Sequence, residues 1–179
     1  MVASFNHDLS PARPHLARRH QRQPFFADIT YMVETRSPRI LVVEDSLVVG
    51  RALERTLRAA GCEVVTTTTA GDALQAAFAQ LPDLMILDLS LHSAFFDPFC
   101  DGFGVLNWLR YMLGDINFPV IIHTADPSPL VDERARAAGV FAVIRKGIGA
   151  TYILDVVRQA FEQASPVATE DSGEAGAAS

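Results

Sequence analysis

The chain is poor in cysteine, with only Cys62 and Cys100 among its 179 residues. Two cysteines make no disulfide framework, so a reducing, cytoplasmic setting is the expectation. No apolar run approaches the roughly 18 residues that a membrane helix needs. There is no basic excess either. A net charge of −6 gives no electrostatic reason to expect direct contact with nucleic acid. Lysine is almost missing: every permanent cation is an arginine except Lys146. Apolar residues are plentiful at 49%, against 20% charged, which at this length suffices for one domain with a sizeable core.

Residues 1–37 read as an N-terminal extension. Prolines stand at 11, 14, 24 and 38, Arg13, Arg18, Arg19 and Arg22 cluster, and the stretch 9–27 has no acid. Such a segment mimics a transit peptide or a basic tail. Its composition more simply predicts disorder, or a start that truly lies at Met32, just before the first strand. Residues 165–179 are small and acidic and predict a disordered tail. The domain is expected over 38–164.

Within it the pattern alternates. Arg39–Val43 is an apolar strand ending on Glu44-Asp45, with Ser46 as candidate N-cap for a helix carrying Val49, Leu53, Leu57 and Ala60 on one face. Gly61 stops that helix. Strands are predicted at 62–67, 84–87, 120–123 and 141–144. Helices are predicted at about 70–80, 103–113, 130–138 and 150–164. Five strands alternating with five helices predict a parallel α/β sheet covered on both faces. The flavodoxin-like order 2-1-3-4-5 would place a switch point between strands one and three, where ligands bind. The ends of the strands then bring together Glu44, Asp45, Asp88, Thr124 and Lys146.

Three carboxylates in one cleft repel, and a hard dication such as Mg²⁺ relieves them. A carboxylate is also a possible nucleophile toward a phosphoryl group, whose spreading charge needs a metal and a placed cation. Asp45 and Asp88 could hold the metal. Lys146 could meet a phosphoryl oxygen, and the Thr124 hydroxyl could donate to one. The alternative is plain: Glu44, Asp45 and Asp88 as favourable acids at helix N-termini, and Lys146 as a surface lysine. That the single lysine falls here supports the first reading, since a compact, flexible ammonium suits the task.

The stretch from Arg39 to about Ala164 resembles the receiver domain of bacterial two-component response regulators. The matching pieces are Val42-Val43-Glu44-Asp45-Ser46, Ile86-Leu87-Asp88, Asp101-Gly102, Pro119 to Ala125, Ala138-Gly139 and Lys146. The resemblance implies Asp88 as phosphoacceptor and Glu44 with Asp45 as the acidic pair. It implies Mg²⁺ held by Asp45, Asp88 and the Ser90 backbone carbonyl, Thr124 as switch hydroxyl and Lys146 as phosphoryl-binding lysine. The phosphoryl donor it implies is a histidine kinase or phosphotransfer protein. With only fifteen residues beyond 164, a stand-alone receiver is expected, signalling by protein contact and not acting as an enzyme on foreign substrates.

Three features depart from the family pattern. Gly147 replaces the usual proline after the lysine, so a trans bond is expected there. Val143 stands where an aromatic switch residue is usual. The connection from Leu89 to Cys100 is long and carries Phe95, Phe96 and Phe99, which could form a lid, a docking patch or a satellite cluster. His92, Asp97 and Cys100 match no standard zinc spacing. His123 is expected to be a satisfied strand residue, and Cys62 a small buried one. These departures motivate one rival, a pseudo-receiver that binds partners without phosphorylation. A hydrolase using Asp88 as nucleophile is a second.

Overall fold

A computed structural model describes residues 36–91 and 101–164. The expectations for the two tails, and for Phe95, Phe96, Phe99, His92, Asp97 and Cys100, concern residues outside those described.

Ten elements alternate: β1 (Arg39–Val43), α1 (Leu47–Ala59), β2 (Glu63–Thr67), α2 (Ala70–Ala79), β3 (Leu84–Leu87), α3 (Gly102–Leu113), β4 (Val120–Thr124), α4 (Pro129–Ala137), β5 (Ala142–Arg145) and α5 (Ala150–Ala164). The sheet is parallel throughout and runs β2-β1-β3-β4-β5, the flavodoxin-like order.

The period-two alternation of strand side chains sorts the core into two layers. Ile40, Val42, Leu84, Ile86, Ile121 and Ile144 point to the side closed by α1 and α5. Leu41, Val43, Met85, Leu87 and Val120 point to the side of α2 and α3, while Ile122 packs with Phe103 and with Ala135 of α4. The central strands β1 and β3 are buried along their whole length, which is why they read as unbroken apolar runs. α1 buries Leu53 and Leu57 and leaves Arg51, Arg55 and Arg58 exposed, as its spacing predicts.

Boundaries shift where tertiary contacts decide them. Cys62 belongs to the turn before β2, its N–H donating to Leu57 O after Gly61 at φ 99°. Burial pushes its thiol up to about 12, so it is unreactive at neutral pH. β5 runs from Ala142 to Arg145, one residue later at each end than the sequence suggests. Ser46 occupies the N-cap of α1, but its side chain caps nothing. Its backbone N–H donates instead to Glu44 Oε1 at 3.2 Å. Among the described residues no helix is long and apolar enough to cross a membrane.

Candidate functional site

The switch point between β1 and β3 holds the expected residues. Val42 pairs with Ile86 and Val43 with Leu87, so the next residues of both strands emerge side by side. Asp88 N–H donates to Val43 O at 2.9 Å, carrying the register one step past the strand. The carboxylates of Glu44, Asp45 and Asp88 thereby offer oxygens all within 4.8 Å of one another. Glu44 and Asp88 are each 1% exposed, whereas Asp45 is half-buried and faces the opening.

Buried carboxylates need charge partners or donors. Lys146 supplies both: its Nζ lies 2.7 Å from Asp88 Oδ2 and 2.9 Å from Glu44 Oε1. Its position follows from β5, because Lys146 N–H donates to Thr124 O at 2.8 Å, one step beyond the ladder. The Lys146–Gly147 bond is trans, as expected, and Gly147 sits at φ 93°, a conformation that favours glycine. The other Asp88 oxygen, Oδ1, accepts from Ser90 N–H at 3.1 Å. Ser90 thus contributes its amide to the site.

Titration follows this geometry. Burial works to raise the Glu44 pKa, yet donors and the Lys146 charge hold it below its ordinary value. His123 Nδ1 stands 3.7 Å from Glu44 Oε2, too far for a hydrogen bond, so Lys146 and Ser46 carry that lowering here. Burial likewise works to lower the Lys146 pKa, but Asp88 and Glu44 overcome it and raise the group above its ordinary value.

Thr124 is fully buried, and its Oγ1 accepts from Asp126 N–H at 3.1 Å. It neighbours the cluster without bonding to Asp88. His123, next to it on β4, points to the opposite layer and toward Glu44. It is a buried strand residue, as expected, but not a satisfied one: its Nδ1 has no hydrogen-bond partner. The acceptor beside it, the second oxygen of Glu44, lies at 3.7 Å, beyond hydrogen-bond reach, which the strand pattern does not reveal. The contacts of two further residues were not foreseen from sequence. Gly102 abuts Asp88 so closely that a Cβ would collide with the Asp88 carbonyl oxygen. Arg145 reaches from the end of β5 to Asp132 on α4.

The donor set suits a hard dication: three carboxylates converge, each offering an oxygen within 4.8 Å of the others. Asp45, half-buried, and Asp88 would be the residues to hold Mg²⁺ there.

Sheet order and cleft together define a flavodoxin-like α/β domain with an acidic, lysine-capped switch point. The chain matches the response regulator receiver domain over residues 40–158. It belongs to that family, whose members serve two-component signalling. It is 40% identical over 98 residues to the transcriptional regulatory protein PrrA of Mycobacterium tuberculosis, covering 55% of this chain and 38% of PrrA. It is 34% identical over 121 residues to the transcriptional regulatory protein KdpE of the same species, covering 68% of this chain and 50% of KdpE. The chain thus spans half or less of these relatives. In structure it resembles the signal receiver domain of a Luxo repressor protein from Vibrio parahaemolyticus, with TM-score 0.63, 29% identity and coverage of 72% and 92%. A CheY-like receiver domain protein from Methanospirillum hungatei shares the fold at TM-score 0.63, 22% identity and coverage of 72% and 96%. Relatives named as transcriptional regulators run against the expectation, drawn from net charge, of no direct contact with nucleic acid.

Proposed function

We propose that this chain is a Mg²⁺-dependent phosphoryl acceptor. Asp88 takes the group from a phosphohistidine of a histidine kinase or phosphotransfer protein. The observation that carries the reading is the contact of Lys146 Nζ with Asp88 Oδ2 and Glu44 Oε1 inside the three-carboxylate cluster. A family match alone would not supply these groups; this chain has them in reach of one another.

One Asp88 oxygen attacks phosphorus as the P–N bond of the donor breaks. The histidine nitrogen leaves with that electron pair, and its ring ends neutral after taking up a proton. Asp45, Asp88 and the Ser90 backbone carbonyl would hold Mg²⁺, with Glu44 behind them, and the ion when bound would supply positive charge for the phosphoryl oxygens. Lys146 follows one phosphoryl oxygen with its ammonium. The Thr124 hydroxyl uses a lone pair on Asp126, so its proton remains available to a second phosphoryl oxygen. Leu47, Val48 and Ile148 are exposed beside the cleft and give a docking donor an apolar rim. Output is a surface whose population shifts when Asp88 is modified.

Incubation with Mg²⁺ and acetyl phosphate, read by intact mass, tests this. The receiver reading expects gain of one phosphoryl group, lost in Asp88→Asn. A chain that binds partners without phosphorylation would gain none. A hydrolase would instead turn over foreign phosphoesters.

A further inference from the structure

Two buried polar atoms face each other behind the acidic cluster with no hydrogen-bond partner among the described residues. Glu44 Oε1 is well served, by Lys146 Nζ at 2.9 Å and Ser46 N–H at 3.2 Å. Glu44 Oε2 has none, and neither has His123 Nδ1, 3.7 Å away. Unpaired polar atoms at such depth are costly and call for an explanation. His123 also borders a pocket of about 250 Å³, lined by Val49, Leu53, Gly147, Ile148 and Ile153 as well, so its ring is not enclosed by core side chains on every side.

Lys146 is shared between Glu44 and Asp88. On the reading above, a phosphoryl group on Asp88 draws the ammonium to its own oxygens. Glu44, 1% exposed, then loses its strongest donor. We propose that His123 is a positioning residue for Glu44: when Lys146 turns to the phosphoryl group, the imidazole closes the gap and donates its Nδ1–H to Glu44 Oε2. This keeps the carboxylate oriented behind the metal site. It also reshapes the cavity between α1 and the β5–α5 loop, so that this face reports the state of Asp88.

The test follows the His123 ring nitrogens by NMR in the full chain, assigned with His123→Asn. Adding Mg²⁺ and beryllofluoride should bring His123 Nδ1 to a protonated, hydrogen-bonded signal whose proton exchanges slowly. Lys146→Met should show that signal without any phosphoryl mimic, because Glu44 has already lost the lysine. Beryllofluoride that shifts the Asp88 and Thr124 amides but leaves the His123 ring unmoved overturns the inference. If no amide shifts, the phosphoacceptor reading itself fails, and the Lys146→Met spectrum still decides the role of His123. His123→Leu should weaken beryllofluoride binding roughly tenfold, as loss of a hydrogen bond to a charged group does. It should not lower Tm, and His123→Asn should restore most of the affinity. A lower Tm with no rescue by Asn would mark His123 as merely structural.

Discussion

Arg145 and Asp132 tie the end of β5 to α4: Arg145 Nη2 donates to both Asp132 carboxylate oxygens, at 3.0 and 2.9 Å. Arg145 immediately precedes Lys146, so one peptide unit and one ion pair connect the lysine to α4. This route matters because Val143 offers no aromatic ring to couple Thr124 to the α4 side. Arg145→Met should leave Asp88 reactive and cost under about 1 kcal/mol of stability, since both partners are partly exposed. The backbone amides of α4 should then lose their response to beryllofluoride. A response equal to wild type would show that the pair is not the link.

The Lys146 contacts make stability depend on pH at both ends of the scale. A Glu44 pKa below its unfolded value stabilises the fold above about 4.3, and that contribution fades as pH falls through the folded-state value. A raised Lys146 pKa gives stability that is complete below about 10.4 and fades as pH rises through the folded-state value. Both describe one contact and count once. Lys146→Met should lose about 3 kcal/mol near neutrality by stranding buried carboxylates, and the loss should shrink as the medium becomes acid. Denaturant melts at several pH values check this; a loss unchanged down to acid pH would contradict it.

Asp45 is the half-buried member of the cluster, while Glu44 and Asp88 are buried. Asp45→Ala should keep Tm within a few degrees while weakening Mg²⁺ binding and slowing phosphorylation. Titration with Mg²⁺, followed by NMR of the site amides, reads the affinity. An unchanged affinity would remove Asp45 from the metal site.

Gly102 begins α3 against the Asp88 carbonyl, where a side chain has no room. Gly102→Ala should destabilise the domain by about 1–3 kcal/mol, as overpacking does, and displace Asp88 from Lys146. Denaturation midpoints and phosphorylation rate should fall together. A stable variant with full reactivity would show that the loop yields freely.

Much of this was legible in the chain. Leu84–Leu87 and Arg39–Val43 read as strands because burial on both faces leaves no polar residue to confuse the pattern. A parallel sheet of that order must place Glu44, Asp45 and Asp88 together. What the sequence hides is set by side chains meeting across distance. Lys146 and Glu44 are 102 residues apart, and nothing local says that one ammonium bridges two carboxylates. Ser46 looks like a cap, yet Glu44 claims its amide. His123 looks like an ordinary strand residue until the free oxygen of Glu44 appears beside its ring.

The central claim is that Asp88 is the residue that accepts the phosphoryl group. An acyl phosphate, unlike a free carboxylate, is reduced by borohydride to an alcohol, which converts aspartate to homoserine. After treatment with Mg²⁺ and acetyl phosphate, then borohydride, peptide mass spectrometry should find homoserine at position 88, and Lys146→Met should lower its yield. Aspartate unchanged at 88, whether another residue is modified or none is, would contradict the account.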